Sequence, residues 1–179
     1  MPLLDECIHT LDDIYALPEG ERAELIDGKL YMMAPPNRRH QKIVSELHYQ
    51  ISDYIRRRQG ACEVYPAPFA VFLNEDQRNY VEPDLSVICD LNKLTDKGCV
   101  GAPDWIIEVA SPGSQQMDYG VKLFKYRTAG VREYWIVNPM KNTITVFDFD
   151  KEEHSGQYTF QEDIPVCIYE ELFIHLSET

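Results

Sequence analysis

The sequence lacks a CxxC pair, a long apolar run and an excess of basic residues, and each absence excludes something. Seventeen Lys and Arg against thirty Asp and Glu give a net charge of −13. Phosphate contact is driven by cations, so so acidic a chain is a poor non-specific ligand for nucleic acid. The deficit is uneven: residues 148–179 hold nine acids and one base, Lys151, which is −8, leaving −5 on the remainder. The acidic tail reads as a solvated surface. No apolar run approaches the roughly 20 residues of a membrane-spanning helix, so no membrane partner is expected. The start, Met-Pro-Leu-Leu-Asp-Glu, has neither a basic region nor an apolar core, and no signal peptide is expected. The five cysteines (Cys7, Cys62, Cys89, Cys99 and Cys167) are odd in number and form no regular framework. Cys89 and Cys167 lie in or beside apolar runs, where Cys behaves as a small hydrophobe. That usage predicts a reducing, cytoplasmic setting. There is no internal repeat, low-complexity tract or linker.

What is present is enough for a core. A chain of 179 residues, 44% hydrophobic and 26% charged, predicts one domain. Thr10 is a candidate N-cap for a short helix to Ala16. Ala23–Ile26 and Lys29–Met33 flank Asp27-Gly28, a hairpin signal. His40–Arg58 carries Ile43, Val44, Leu47, Ile51 and Ile55 at helical spacing, with Arg56, Arg57 and Arg58 suiting its C-terminal dipole and Gly60 after it. Cys62–Tyr65, Phe69–Leu73 and Tyr80–Cys89 are strand-like, and Asp90–Pro103 reads as a connection. Beyond Pro139, Thr143–Asp148 and Gln157–Phe160 suggest a hairpin, and Ile164–Phe173 a last strand or a short helix.

The most informative stretch is Asp104–Pro139. Trp105–Ala110 is a short apolar run between Pro103 and the Ser111-Pro112-Gly113 turn, which predicts a buried strand. Inside it sits one carboxylate, Glu108, costly to bury unless a metal ion, Lys or Arg meets it. Asp118, Lys122 and Tyr126 then share a helix face, Gly130 ends that helix, and Glu133–Val137 returns as a strand. Strand, helix, strand at this spacing is a parallel crossover.

Asp84, behind Pro83 at a strand start, and Glu108 on the following strand can meet if the strands pair. Two close carboxylates repel, and a hard divalent cation relieves the repulsion through its preference for oxygen. Lys122 is placed to stabilise negative charge beside them. Spacing alone leaves plainer readings open: Asp84 at a strand edge, Glu108 paired with a structural base, Lys122 paired with Asp118 on a helix surface, His40 as a helix N-terminal residue, Glu24 as structural and the arginine run as a solvated helix end.

The order of motifs resembles a known family. From Glu24-Leu-Ile-Asp-Gly onward the chain carries Pro83-Asp84, then Glu108-Val109-x-Ser-Pro. It continues with Lys122-x3-Tyr126-x3-Gly130-Val131-x-Glu133-Tyr134-Trp135-x-Val137-x-Pro139. This is similar to the Uma-type family of the PD-(D/E)XK restriction-endonuclease-like superfamily. The resemblance implies an α/β (α+β) fold with a restriction-endonuclease-like core at about residues 38–139. That core has a mixed central β-sheet flanked by helices. A helix and hairpin at 10–33 precede it and a β extension at 140–179 follows. The expected sheet strands are Phe69–Leu73, Leu85–Cys89, Trp105–Val109 and Tyr134–Val137, with helices His40–Arg58 and Asp118–Ala129 against them.

The same resemblance implies that Asp84, Glu108 and the Val109 carbonyl bind Mg2+ (or Mn2+), with the two carboxylates converging. The superfamily's lysine two residues after the acid is here Ala110, and Lys122 is the expected replacement. Glu24 and His40 match family positions and join the candidate catalytic set. Asn138 stands where the family more often has Asp, a matter of the turn. The implied function is a Mg-dependent endonuclease acting on DNA phosphodiesters, working as a homodimer. The alternatives are a degenerate, non-cleaving module that binds nucleic acid or a protein partner, and a hydrolase of another phosphate ester.

Overall fold

The structure, a computed structural model, describes residues 8–74 and 76–177. Cys7 and the stretch read for a signal peptide lie outside the described residues, as does Glu75 of the polar turn before Asn79. Helix α1 (Leu11–Tyr15) follows Thr10, whose N–H donates to the Asp13 carboxylate at 2.8 Å. Strands β1 (Ala23–Ile26) and β2 (Lys29–Met32) pair antiparallel across Asp27-Gly28. Both turn residues have positive φ, 51° and 76°, the geometry that an Asp-Gly hairpin favours. Helix α2 (Arg38–Arg57) begins two residues earlier than expected, because Asn37 is the cap: its side chain accepts from the His40 N–H at 2.9 Å. At its far end the left-handed position belongs to Gln59, φ 52°, and not to Gly60.

Next come β3 (Glu63–Pro66), β4 (Val71–Phe72), β5 (Leu85–Ile88), β6 (Leu94–Thr95), β7 (Gly98–Val100) and β8 (Trp105–Val109). A π-helical segment, Met117–Lys122, runs into α3 (Leu123–Ala129), which Gly130 closes at φ 96°. The chain ends with β9 (Glu133–Asn138), β10 (Thr143–Asp148), β11 (Gly156–Thr159), β12 (Ile164–Pro165) and β13 (Phe173–Ile174). The last two form a small hairpin, where a last strand or a short helix was expected. Among the described residues no helix is long and apolar enough to cross a membrane.

The central sheet is mixed, in the order β11-β10-β9-β8-β5-β3. Only β8 and β9 are parallel in it, joined by the crossover through α3. Alternation along β8 sorts the side chains. Trp105, Ile107 and Val109 pack with the α2 stripe, while Ile106 and Ala110 pack with Tyr126 of α3. The two helices therefore cover opposite faces, and Glu108 lies on the face of α3.

Two expectations are corrected. Phe69–Leu73 does not enter the central sheet. Its strand, β4, joins β7 and β6 in a separate three-stranded sheet, and β3 takes the edge beside β5. The prolines explain the exit. Neither Pro66 nor Pro68 has an N–H for a ladder, so pairing along β5 ends at Pro66 and the Ala67 N–H, which reaches the Asp84 carbonyl at 3.0 Å. Secondly, Cys89 is not a lone apolar side chain but is disulfide-bonded to Cys62. The antiparallel pairing of Glu63 with Ile88 sets these two cysteines opposite each other. With one pair of cysteines joined, cysteine usage no longer points to a reducing compartment. Cys99 and Cys167 are free thiols.

The C-terminal segment is tied to the sheet by a buried acid. Glu133, at the start of β9, accepts from the Trp135 indole at 2.6 Å and from the Cys167 and Ile168 N–H groups at 2.9 Å each. Glu133→Ala leaves the buried Trp135 indole and two half-buried N–H groups unpaired, and urea unfolding should show a loss of about 2–4 kcal/mol, with Glu133→Gln losing less.

Candidate active site

The site forms where β5 and β8 end together. Their register pairs Leu85 with Ile107, and one step further sets Asp84 opposite Glu108. Opposite residues of an antiparallel pair share a face, with Cβ atoms about 4.5–5.5 Å apart. Both acids line one cleft of about 680 Å³, together with Glu24, His40, Val109, Asp118 and Lys122. The structure thus brings every residue of the expected set to one place.

Each acid is held by one of its two oxygens. Asp84 Oδ2 accepts the Val109 N–H at 2.7 Å and meets His40 Nε2 at 3.2 Å. Glu108 Oε1 accepts Lys122 Nζ at 2.8 Å and the Tyr126 hydroxyl at 2.7 Å. The second oxygen of each carboxylate carries none of these bonds. Lys122 reaches Glu24 Oε2 as well, at 2.7 Å, and Glu24 Oε1 accepts the Glu82 N–H at 3.1 Å. Glu24 comes from β1, so the hairpin forms one wall of the site. Glu82 is in turn held by Arg22 and by the Tyr80 hydroxyl.

Lys122 does not take Asp118 as its partner, as simple helical spacing had offered. Asp118 accepts the Ser114 hydroxyl at 2.7 Å, and Lys122 points to the two glutamates from the end of the π-helical segment. Such wide turns recur at functional sites, where they re-aim side chains.

Electrostatics follows from burial. Removal from water drives the Glu108 carboxyl up, Lys122 opposes that rise, and the charges of Glu24, Asp84 and Asp118 add to it. Asp118 is raised for the same first reason. Burial works against the charge on Lys122, but Glu108, Glu24 and Asp118 outweigh it and hold the ammonium charged. Burial also opposes the His40 imidazolium. Asp84 outweighs it, with Gln41 and the Val109 backbone assisting, and the ring is raised. Tyr126 is pushed well up by burial and then by Glu108, so its hydroxyl remains a donor. Five acids, Glu24, Glu82, Asp84, Glu108 and Asp118, therefore face Lys122, Arg22, Arg39 and His40 around the cleft.

That excess of negative charge, with two free carboxylate oxygens, fits a hard divalent cation. Among the described residues no three His, Cys, Asp or Glu side chains gather as a metal cluster. The available donors are two carboxylates and a backbone carbonyl, with water completing the shell. A Mg2+ ion suits such a partial set, because it keeps several of its waters.

Tyr126 and Asp118 were legible as sharing a face with Lys122, but spacing alone gave Tyr126 no part in the site. Its apolar body does lie in the core beside Tyr134, at a ring separation of 4.9 Å. Only the hydroxyl belongs to the site. Arg39, which lines the cleft and donates to Asn142 Oδ1 at 2.6 Å, carried no signal beyond its place next to His40. Asn138 turns the chain: its Oδ1 accepts from the Met140 and Lys141 N–H groups. Arg57 and Arg58 pair with Asp53 and Glu171 at the surface.

The sheet, its flanking helices and the site at the strand ends define a restriction-endonuclease-like nuclease fold. A crystal structure of a "putative nuclease belonging to DUF820" from Anabaena variabilis shares it. The TM-score is 0.75 at 23% identity, covering 94% of this chain and 96% of that one. The family model described as "Uma2: Putative restriction endonuclease" matches residues 10–173, and the chain belongs to that family. It is also similar to the uncharacterized protein slr1290 of Synechocystis sp., at 26% identity over 130 residues, which is 72% of this chain and 67% of that protein.

Lys122 neutralises two buried glutamates, so its removal reaches beyond chemistry. Lys122→Met should lower unfolding stability by about 3–5 kcal/mol, the range for stranding a buried charge. Adding Glu108→Gln to that variant should recover part of the loss, measurable as non-additivity in urea unfolding.

Proposed function

We propose that this chain is a divalent-metal-dependent endonuclease that hydrolyses phosphodiester bonds in DNA. One observation carries the reading: Asp84 and Glu108 line one cleft, each engaged through one oxygen, with Lys122 held against Glu108. Membership of the family described as putative restriction endonucleases supports it. Asp84, Glu108 and the Val109 carbonyl would hold Mg2+ or Mn2+. The ion, when bound, supplies Lewis acidity to a phosphoryl oxygen.

The chain's own residues do the rest. Tyr126 and Lys122 fix the Glu108 carboxylate, and His40 and the Val109 N–H fix that of Asp84. Lys122 has three N–H donors, and two are engaged by Glu24 and Glu108. The third is available to an oxygen of the phosphate, where charge grows in the transition state. Lys122 thus takes the place of the lysine that Ala110 lacks. Arg39 on the cleft wall offers a guanidinium to a neighbouring phosphate. Cutting both strands of a duplex calls for two copies of one site, and a twofold homodimer supplies them.

Because the chain carries −13, DNA binding is weak and falls with salt. The test is conversion of supercoiled plasmid by excess protein with Mn2+ at low ionic strength. Asp84→Ala, Glu108→Ala and Lys122→Ala should each lose at least about 100-fold in rate, with circular dichroism confirming that the variants fold. A parent protein that binds Mn2+ but cuts no form of DNA is a non-cleaving module, and the proposal fails.

A further inference from the structure

We propose that Asn142 is a positioning residue for DNA binding: its neutral amide, on the β9–β10 turn, holds the Arg39 guanidinium at the cleft without cancelling its charge, and so keeps that charge for a phosphate of the bound strand. The inference rests on the nuclease reading above.

The argument is one of charge pairing. Four basic side chains line the cleft: Arg22, Arg39, His40 and Lys122. Three of them meet acids. Arg22 Nε donates to Glu82 at 2.7 Å, His40 Nε2 meets Asp84 at 3.2 Å, and Lys122 Nζ reaches Glu24 and Glu108 at 2.7 and 2.8 Å. Arg39 differs. Its Nη2 donates to Asn142 Oδ1 at 2.6 Å, and among the described residues no carboxylate pairs with it. Its Nε is buried and has no hydrogen-bond partner. A guanidinium has five N–H donors, and a phosphate takes two of them side by side. In a chain of net charge −13, a cation held by a neutral group is the one whose charge remains for an anion.

The amide is itself fixed. Asn142 lies just before β10 with a left-handed backbone, φ 52°, which Asn adopts more readily than most residues. Its carbonyl accepts the Phe160 N–H at 3.1 Å, and Asn138 Oδ1 ties the same turn through the Met140 and Lys141 N–H groups. Pro139 and Met140 of that turn line the cleft beside Arg39. Arg39 comes from the first turn of α2, next to His40, which rests on Asp84. Two elements thus hold the guanidinium on the wall of the cleft that contains the metal-binding acids.

A bond that merely ties α2 to the turn makes a different prediction. Asn142→Asp would tighten such a tie and leave DNA affinity alone. The experiment is a fluorescence anisotropy titration of a labelled DNA duplex with the full chain, in Ca2+ and over a range of salt. Arg39→Met should weaken binding by roughly tenfold, the worth of one charged contact. Asn142→Asp suits the same backbone and sets a carboxylate against the guanidinium. It should weaken binding by about five- to tenfold and lower the salt slope by about one. Its urea midpoint should be unchanged or higher, because the bond becomes charge-assisted. Added to Arg39→Met, it should cost less than about twofold more. Asn142→Gly keeps the left-handed turn, drops the amide and should weaken binding less than Asn142→Asp. Unaltered affinity in both Asn142 variants, or an equal loss from Asn142→Asp with and without Arg39, overturns the inference while the nuclease reading stands. A parent that binds DNA through Arg39 and never cuts it overturns the nuclease reading alone. A parent that binds no DNA overturns both.

Discussion

The interaction on which the site depends is the ammonium of Lys122 buried between Glu24 and Glu108. It joins three separate parts of the chain: the N-terminal hairpin, the central strand β8 and the crossover before α3. Two glutamates and one lysine taken from water together are tolerable only because each charge meets another at hydrogen-bond distance. Buried ion pairs often add little net stability. They do restrict how the parts can pack, since every alternative arrangement strands a charge. Here the restriction places the hairpin over the strand ends, which closes one side of the cleft.

Much of the sheet was legible in the sequence. Trp105–Val109 and Glu133–Val137 are dense apolar runs between turn signals, and such runs have few alternatives to buried strands. Gly130 and Asp27-Gly28 were equally plain, because their backbone angles admit few residues. Phe69–Leu73 misled because its composition suits any strand, and membership of a sheet is decided by what can pair with it. The prolines at 66 and 68 held that information. As a local pattern they only separate two apolar runs; in the fold they end a ladder. The cysteine pair was invisible for a related reason. Cys62 and Cys89 are opposite only through the β3–β5 register, which local pattern does not specify.

The site was legible in part, and through resemblance more than through spacing. Asp84 behind Pro83 and Glu108 inside an apolar run stand out as acids in awkward places. Which base meets Glu108 could not be read from helical periodicity, because Met117–Lys122 is wound wider than an α-helix. Nor could the use of a single oxygen on each carboxylate. That division depends on where the Val109 N–H, the His40 ring, Lys122 and the Tyr126 hydroxyl arrive in space.

The substitution at position 110 is explained by the packing on that face. Glu108 and Ala110 share one side of β8, as alternation requires, and Ala110 is 2% exposed beneath the crossover segment. A lysine there would need the space that Tyr126 and its neighbours occupy. The small side chain lets the segment lie close to the sheet, and closeness is what allows Lys122 to reach Glu108 from above. In this chain the strand carries alanine, and the segment before α3 delivers the cation to Glu108. That arrangement also brings Tyr126, one turn further along, onto the same carboxylate oxygen, so the segment that supplies the charge also fixes the acid it neutralises.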